Sequence, residues 1–180
     1  AAMCLKRDMH VVNFGIGIPE TVIAVLNEEG QDHLFTPIIE SGAIGGVALG
    51  DMNFGSCICP DAIIDQPYMF DFIDGGGLDM SFLGLAQCDP AGNVNVSRFG
   101  AKVAGCGGFI DISQNVKNMV FCGTFTAGGL KTHIENGQLV IDQEGRSKKF
   151  IQSLQQVTFS GPVAAQSGRN VLFVTERAVL

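Results

Sequence analysis

Residues 11–39 constrain the fold most. Val11-Val12-Asn13-Phe14 is a short apolar run that reads as a strand. Gly15-Ile16-Gly17-Ile18 follows as a tight turn. Pro19 suits the first turn of a helix running to about Asn27, closed by Gly30. A second apolar run, 34–39, reads as the next strand. Strand, turn, helix and strand in this order predict a right-handed crossover between parallel neighbours. The chain is therefore expected to be α/β: an open, mostly parallel sheet flanked by helices, with glycine-rich loops at strand ends.

Glu40 stands where the second strand ends, followed by Ser41-Gly42-Ala43-Ile44-Gly45-Gly46. Open α/β sheets place their chemistry at the carboxyl ends of strands. Glycines beside a carboxylate let a ligand approach the main chain. A glutamate in this setting is a candidate nucleophile. The same residue type at a strand end also serves as a helix-cap partner or an ion-pair member, and position alone does not separate these readings.

Further along, 42–61 is rich in Gly with Asp, Asn and Pro, and reads as a functional loop. A helix is expected from Pro67 through Phe72, stopped by Gly75-Gly76-Gly77, then a strand over 78–85. Asp89-Pro90-Ala91-Gly92-Asn93 is a turn before Val94-Asn95-Val96. Ala104-Gly105-Cys106-Gly107-Gly108 leads into a helix with Phe109 and Ile110 on its inner face. Residues 118–122 are a buried strand, Asn136-Gly137 is the strongest hairpin signal, and 171–176 is a further strand. Residues 1–6 resemble the end of a helix, and 177–180 remain strand-like. Both ends look cut from something longer, so 1–180 is expected to be a single domain within a longer chain.

Composition removes several classes of function. A net charge of −7 argues against nucleic acid, which requires clustered Lys and Arg. No stretch approaches the ~20 apolar residues of a membrane span, and no leader pattern opens the chain. The six cysteines are scattered, several within apolar runs, which points to reduced, buried thiols and a cytoplasmic setting. Cys57-Ile58-Cys59 lacks zinc-knuckle spacing, and His10, His33 and His133 form no cluster, so no metal is expected.

Three glycine segments are candidate binding loops. Gly15-x-Gly17 carries half of a dinucleotide fingerprint, but Glu20 replaces the third glycine, and an acid there would repel a pyrophosphate. That leaves a turn offering N–H groups to another ligand, or a purely structural one. Gly105-x-Gly107-Gly108 presents small residues whose main-chain N–H groups suit an oxyanion hole. Thr126-Ala127-Gly128-Gly129-Leu130-Lys131 is similar, with Lys131 either meeting a phosphate or solvated. No serine lies in a G-x-S-x-G elbow.

Taken together, several segments resemble class I CoA-transferases, specifically the acetate/propionate-type acyl-CoA transferases. They are Val12-Asn13-Phe14-Gly15-Ile16-Gly17-Ile18-Pro19, Glu40-Ser41-Gly42-Ala43-Ile44-Gly45-Gly46, Asp61-Ala62-Ile63-Ile64-Asp65, Phe82-Leu83-Gly84-Leu85-Ala86-Gln87-Cys88-Asp89, Gly92-Asn93-Val94-Asn95-Val96 and Ala104-Gly105-Cys106-Gly107-Gly108-Phe109-Ile110-Asp111. They occur in the family's order across nearly the whole chain. Glu-Ser-Gly at Glu40, where the 3-oxoacid branch has Glu-Asn-Gly, favours the acetate/propionate type.

The resemblance implies that this chain is most of the second, glutamate-bearing half of such an enzyme, with the first half as its missing partner. It implies transfer of coenzyme A between a short-chain acyl-CoA and a carboxylate through a glutamyl-CoA thioester on Glu40. CoA is then substrate and covalent intermediate, and no tightly bound cofactor is required. Implied oxyanion or CoA-binding residues are Asn13, Gly15, Ile16, Gly17, Gly107, Gly108 and Lys131. A homo-oligomer is expected. The alternative is a sugar-phosphate isomerase-like or ligand-sensing α/β domain using Glu40 as a base.

Overall fold

The computed structural model describes residues 1–180, apart from the side chain of Asp51. Its centre is a seven-stranded sheet. The strands are β1 (Val11–Phe14), β2 (Thr36–Ile38), β3 (Ala43–Ile44), β4 (Ala62–Ile63), β5 (Met80–Gly84), β6 (Asn118–Cys122) and β7 (Asn170–Val174). They lie in the order β7-β6-β5-β1-β2-β3-β4. The run from β7 to β2 is parallel, whereas β3 and β4 join antiparallel at one edge. Helices α1 (Glu20–Glu28), α2 (Gln66–Asp74), α3 (Phe109–Asn115) and α4 (Gly161–Gln166) flank the sheet. This is the expected α/β architecture.

Strand alternation explains why helices cover both faces. In β6, Met119 and Phe121 join one apolar cluster with Met69 and Ile73 of α2, Ile112 of α3 and Ala164 of α4. Val120 and Cys122 join the opposite cluster, where Val12, Phe14, Met80 and Phe82 meet Val22, Ile23 and Leu26 of α1. Phe14 stacks on Phe82 with ring centroids 5.3 Å apart on the α1 side. Phe121 contacts Phe109, Phe159 and Phe173 on the other. Burying each such side chain contributes roughly 1.5–3 kcal/mol.

Several local expectations differ from what forms. Asp32–Leu34 is a 3-10 turn, so the second strand contracts to Thr36–Ile38. Residues 1–6 hold only the 3-10 turn Ala2–Cys4. The 42–61 segment is no single loop. It contains β3, a ribbon pairing Val47–Ala48 with Cys57–Ile58, and a 3-10 turn at Asp51–Asn53. In α3, Phe109 packs inward but Ile110 is exposed, because the buried stripe continues through Ile112. Asn136 and Gly137, with φ of 51° and 75°, do form the turn between Lys131–Glu135 and Gln138–Gln143. The last residues turn back, and Leu180 exchanges both backbone hydrogen bonds with Phe173. Among the described residues no helix is long and apolar enough to cross a membrane. All six cysteines are free thiols; Cys88 and Cys122 are buried, but Cys59 is exposed, against the reading of them as buried.

Candidate active site

The strand order places a crevice above β1 and β5. The chain leaves β1 through α1 to β2 on one side, and leaves β5 through α3 to β6 on the other. Adjacent parallel strands whose connections diverge leave an opening at their carboxyl ends, where open α/β sheets bind ligands. A cavity of about 420 Å³ occupies this position. Gly15 and Ile16 line it from the end of β1, Gly84, Leu85 and Ala86 from the end of β5, and Glu40 from beyond β2. Cys106, Gly107, Gly108 and Phe109 close another wall.

Glu40 is presented by a tight turn between β2 and antiparallel β3. The Gly42 N–H donates to the Ile39 carbonyl (2.9 Å), and the Ile39 N–H donates to that of Ala43 (2.9 Å). Gly42 has φ of 118°, and a Cβ there would run into the Ile64 carbonyl oxygen, so only glycine fits. The turn leaves the Glu40 side chain half-buried. Its Oε2 lies against Gly108, at a spot that a Cβ on Gly108 would occupy, with the Phe70 ring alongside. Among the described residues no hydrogen bond or ion pair reaches this carboxylate. Burial pushes its pKa above the ordinary glutamate value of 4.5, and the Asp111 carboxylate on the first turn of α3 adds to the rise. A carboxylate partly withdrawn from water, with no counter-ion among the described residues, is more basic than a surface glutamate.

The other sequence candidates separate. Gly15, Ile16, Gly107 and Gly108 share the cavity with Glu40. The Gly15 N–H is spent on the Phe82 carbonyl (2.8 Å). The N–H groups of Ile16, Gly107 and Gly108 make no hydrogen bond among the described residues. Gly17 lies in an adjoining cavity, and its N–H donates to Glu20 Oε1 (2.6 Å). The acid in place of the third fingerprint glycine thus caps the turn, and the Gly17 N–H has no hydrogen left for an oxyanion. Asn13 is 1 % exposed and does not line the cavity. Its Nδ2 donates to the Ile38 carbonyl (3.3 Å), and its Oδ1 accepts from Ser81 Oγ (3.0 Å), tying β1 to β2 and β5. Lys131 sits on an exposed ribbon, outside the cavity lining.

Sequence reasoning did not single out Phe54, Phe70, Asp111 or Lys149. Phe54 reaches the cavity from the 42–61 segment, whose glycine content marks the segment but not the residue. Phe70 arrives from α2, a contact between distant parts of the chain with no local signal. The half-buried Lys149 amine donates to the carbonyl of Leu85, a cavity residue, at 3.2 Å, and burial pushes its pKa down. Among the described residues no group of three or more His, Cys, Asp or Glu is placed to hold a metal.

Known proteins align with this arrangement from end to end. No protein-family model matches the chain. It is 48 % identical over 178 residues to acetate CoA-transferase YdiF of Escherichia coli K12, covering 99 % of the chain and 34 % of that protein. It is 45 % identical over 184 residues to caffeate CoA-transferase of Acetobacterium woodii, covering 99 % and 35 %. The structure of E. coli O157:H7 YdiF superimposes with a TM-score of 0.91 at 46 % identity, over 99 % of this chain and 34 % of that one. Along almost its whole length the chain is thus similar to CoA-transferases. It spans about a third of the length of these CoA-transferases. YdiF has also been solved as a thioester complex with CoA, which matches this chain with a TM-score of 0.88 at 46 % identity, over 97 % of this chain and 33 % of that one.

Proposed function

We propose that the protein carrying this chain transfers coenzyme A from a short-chain acyl-CoA to a carboxylate, with Glu40 as the covalent nucleophile. The observation that carries this reading is the half-buried Glu40 carboxylate, without a hydrogen-bond or ion-pair partner among the described residues, which shares one cavity with Ile16, Gly107 and Gly108. Relatives of this chain are named CoA-transferases, and one of them was solved as a thioester complex with CoA.

In the first step a Glu40 carboxylate oxygen attacks the thioester carbonyl carbon. The carbon–sulfur bond breaks, CoA thiolate leaves, and an acyl-glutamyl anhydride remains. The thiolate then attacks the Glu40 side-chain carbonyl carbon. The anhydride carbon–oxygen bond breaks, releasing the first carboxylate and leaving a glutamyl-CoA thioester. A second carboxylate runs the steps in reverse. One thioester replaces another, so the exchange is nearly isoenergetic.

Both attacks build negative charge on a carbonyl oxygen. The free N–H groups of Ile16, Gly107 and Gly108 are the proposed donors to those oxyanions, each worth ~3–4 kcal/mol where such donors have been removed from other enzymes. Binding the CoA arm supplies the orientation that a weak nucleophile needs. The first half of the enzyme is the expected partner that completes the pocket.

A raised carboxyl would also suit a proton-transfer base, so the test must detect the covalent step. Full-length protein mixed with acetyl-CoA should gain the mass of CoA less water, and Glu40→Gln should gain nothing. Initial-rate plots should be parallel, since the first carboxylate leaves before the second binds. Intersecting lines without an adduct would favour the base.

A further inference from the structure

We propose that the ribbon formed by Lys131–Glu135 and Gln138–Gln143 is an interaction arm that pairs with the same ribbon of a second copy of the protein, Lys131–Glu135 lying antiparallel against its own copy. This goes beyond the CoA-transfer reading and does not depend on it. Among the described residues the ribbon is a sheet of two strands with no third. All five residues of Lys131–Glu135 are exposed, and so are four of the six in Gln138–Gln143. An isolated two-stranded hairpin is marginally stable in water, whereas three or more strands sharing an apolar face are stable. This hairpin has such a face. Strand alternation puts Thr132 and Ile134 on one side, together with their cross-strand partners Ile141 and Leu139. Ile134 is 68 % exposed and Ile141 37 %.

The root of the ribbon is firmly held. Glu144, one residue past it, accepts from both terminal nitrogens of Arg177 (2.7 and 2.8 Å) and from the Thr126 hydroxyl (3.1 Å). The Gly145 N–H donates to that same hydroxyl oxygen (3.0 Å), and the Arg146 N–H donates to the Gly128 carbonyl (3.2 Å). A bare ribbon on a fixed root is held out toward a partner.

Charge complementarity selects the partner. Glu135 and Gln138 flank the two-residue turn and exchange backbone hydrogen bonds, so by alternation Glu135 and His133 turn their main-chain groups toward Gln138–Gln143. Those of Thr132 and Ile134 face outward. Self-pairing must match outward groups with outward groups. Placing His133 on a two-fold axis does so: Thr132 meets Ile134 of the copy, and Lys131 meets Glu135 of the copy, each twice. Moving either strand by two residues keeps the hydrogen bonds but loses both Lys–Glu matches. The result is a four-stranded sheet in which the apolar face runs on from Ile134 to Thr132 of the copy. The other free edge, Gln138–Gln143, suits pairing less well. Asp142 is its only charge, with no basic residue on that strand to meet, and it forms a bulge, since Lys131 pairs with Gln143 but Thr132 with Ile141. The edges of the central sheet offer less: Leu180 returns along β7, and β4 has two residues.

Cysteine substitutions in full-length protein read the register. Under mild oxidation with glutathione disulfide, His133→Cys should cross-link to its own copy. Lys131→Cys and Glu135→Cys should cross-link when mixed and not separately. Wild type, with its exposed Cys59, sets the background. Charge exchange reads the energy. Glu135→Lys sets two lysines against each other across the pair, and Lys131→Glu sets two glutamates. The cross-strand neighbours of these positions within one ribbon are Gln138 and Gln143, so neither exchange breaks an ion pair of a single copy. Each should weaken self-association in sedimentation equilibrium about tenfold. Mixing the two variants, or combining both exchanges in one chain, should restore it. No His133→Cys cross-link above background, or a weakening that the combined exchange does not reverse, would overturn the proposal. A lower melting temperature of Glu135→Lys with unchanged association would place the ribbon against another part of its own chain, and would overturn it too. Glu40→Gln should leave every cross-link in place, so the pairing and the transfer chemistry fail separately.

Discussion

Replacing Gly108 by alanine tests whether the glycine wall sets the position of the nucleophile. At Gly108 φ is −75° and ψ is 0°, a conformation alanine tolerates, so the backbone contributes little to the cost. The added Cβ would land on Glu40 Oε2 and lie 2.8 and 2.9 Å from two atoms of the Phe70 ring. Ordinary contact requires both neighbours to retreat by more than half an ångström. Overpacking of this kind costs about 1–3 kcal/mol of stability. The catalytic cost should be larger, because a displacement near 1 Å at the reacting atoms lowers rate by about 100-fold. Gly107→Ala is the contrast. Its Cβ meets nothing within 4 Å, and its φ of 52° charges only a left-handed backbone, about 1–2 kcal/mol. Acetyl-CoA-to-propionate exchange by full-length protein, read by chromatography of the acyl-CoAs, should fall about 100-fold in Gly108→Ala and less than tenfold in Gly107→Ala. Wild-type turnover in Gly108→Ala, or a more severe loss in Gly107→Ala, would refute the reasoning.

Three further expectations follow from the same geometry. Asp111→Asn removes a charge that raises the Glu40 pKa, so the acid limb of kcat/KM should move to lower pH; a limb that stays put would remove Asp111 from the site's electrostatics. Glu40→Gln should melt higher at pH 7, by about 1 kcal/mol. The folded pKa of Glu40 is raised, so its favourable contribution exists below the unfolded value near 4.5 and is lost as pH rises through the folded value; the gain in Glu40→Gln should therefore shrink on acidification. Gly42→Ala combines a φ of 118° with a clash on the Ile64 carbonyl and should cost about 3 kcal/mol in denaturant unfolding, whereas a loss under 1 kcal/mol would mean the turn is not fixed as described.

The parts legible in the sequence are those that local physics specifies. The turn at Gly15, the helix opened near Pro19 and the Asn136-Gly137 hairpin each depend on residues adjacent in the chain. Glu40 was legible because its strand, its bend and its glycines are also adjacent. The crevice itself was not, because β5 pairs beside β1 across more than sixty intervening positions and only that pairing creates the diverging connections. The same non-local contacts hid Phe70, which reaches Gly108 from another helix. Asn13 is a polar residue in a strand at the site's edge, yet its side chain is satisfied inside the sheet by Ser81 and Ile38, partners no local pattern names. The sequence shows Glu20 as an acid that would repel a pyrophosphate; the hydrogen bond it accepts from the Gly17 N–H depends on the turn's three-dimensional closure and has no local signal. Strands as short as Val47–Ala48 and Cys57–Ile58 carry too few residues for a period to show, so their segment read as a loop.

The most direct test of Glu40 as nucleophile is peptide mapping of full-length protein after acyl-CoA treatment and mild heating. A thioester on the Glu40 side chain gives its carbonyl a good leaving group, and the residue's own backbone nitrogen reaches that carbonyl through a five-membered ring. Closure expels CoA thiolate and activates the preceding peptide bond toward water. The account predicts CoA on the peptide containing Glu40 before heating. After heating, the chain should break between Ile39 and Glu40, in treated wild type only and in neither untreated protein nor Glu40→Gln. CoA retained on a different residue, or a break elsewhere, would contradict it.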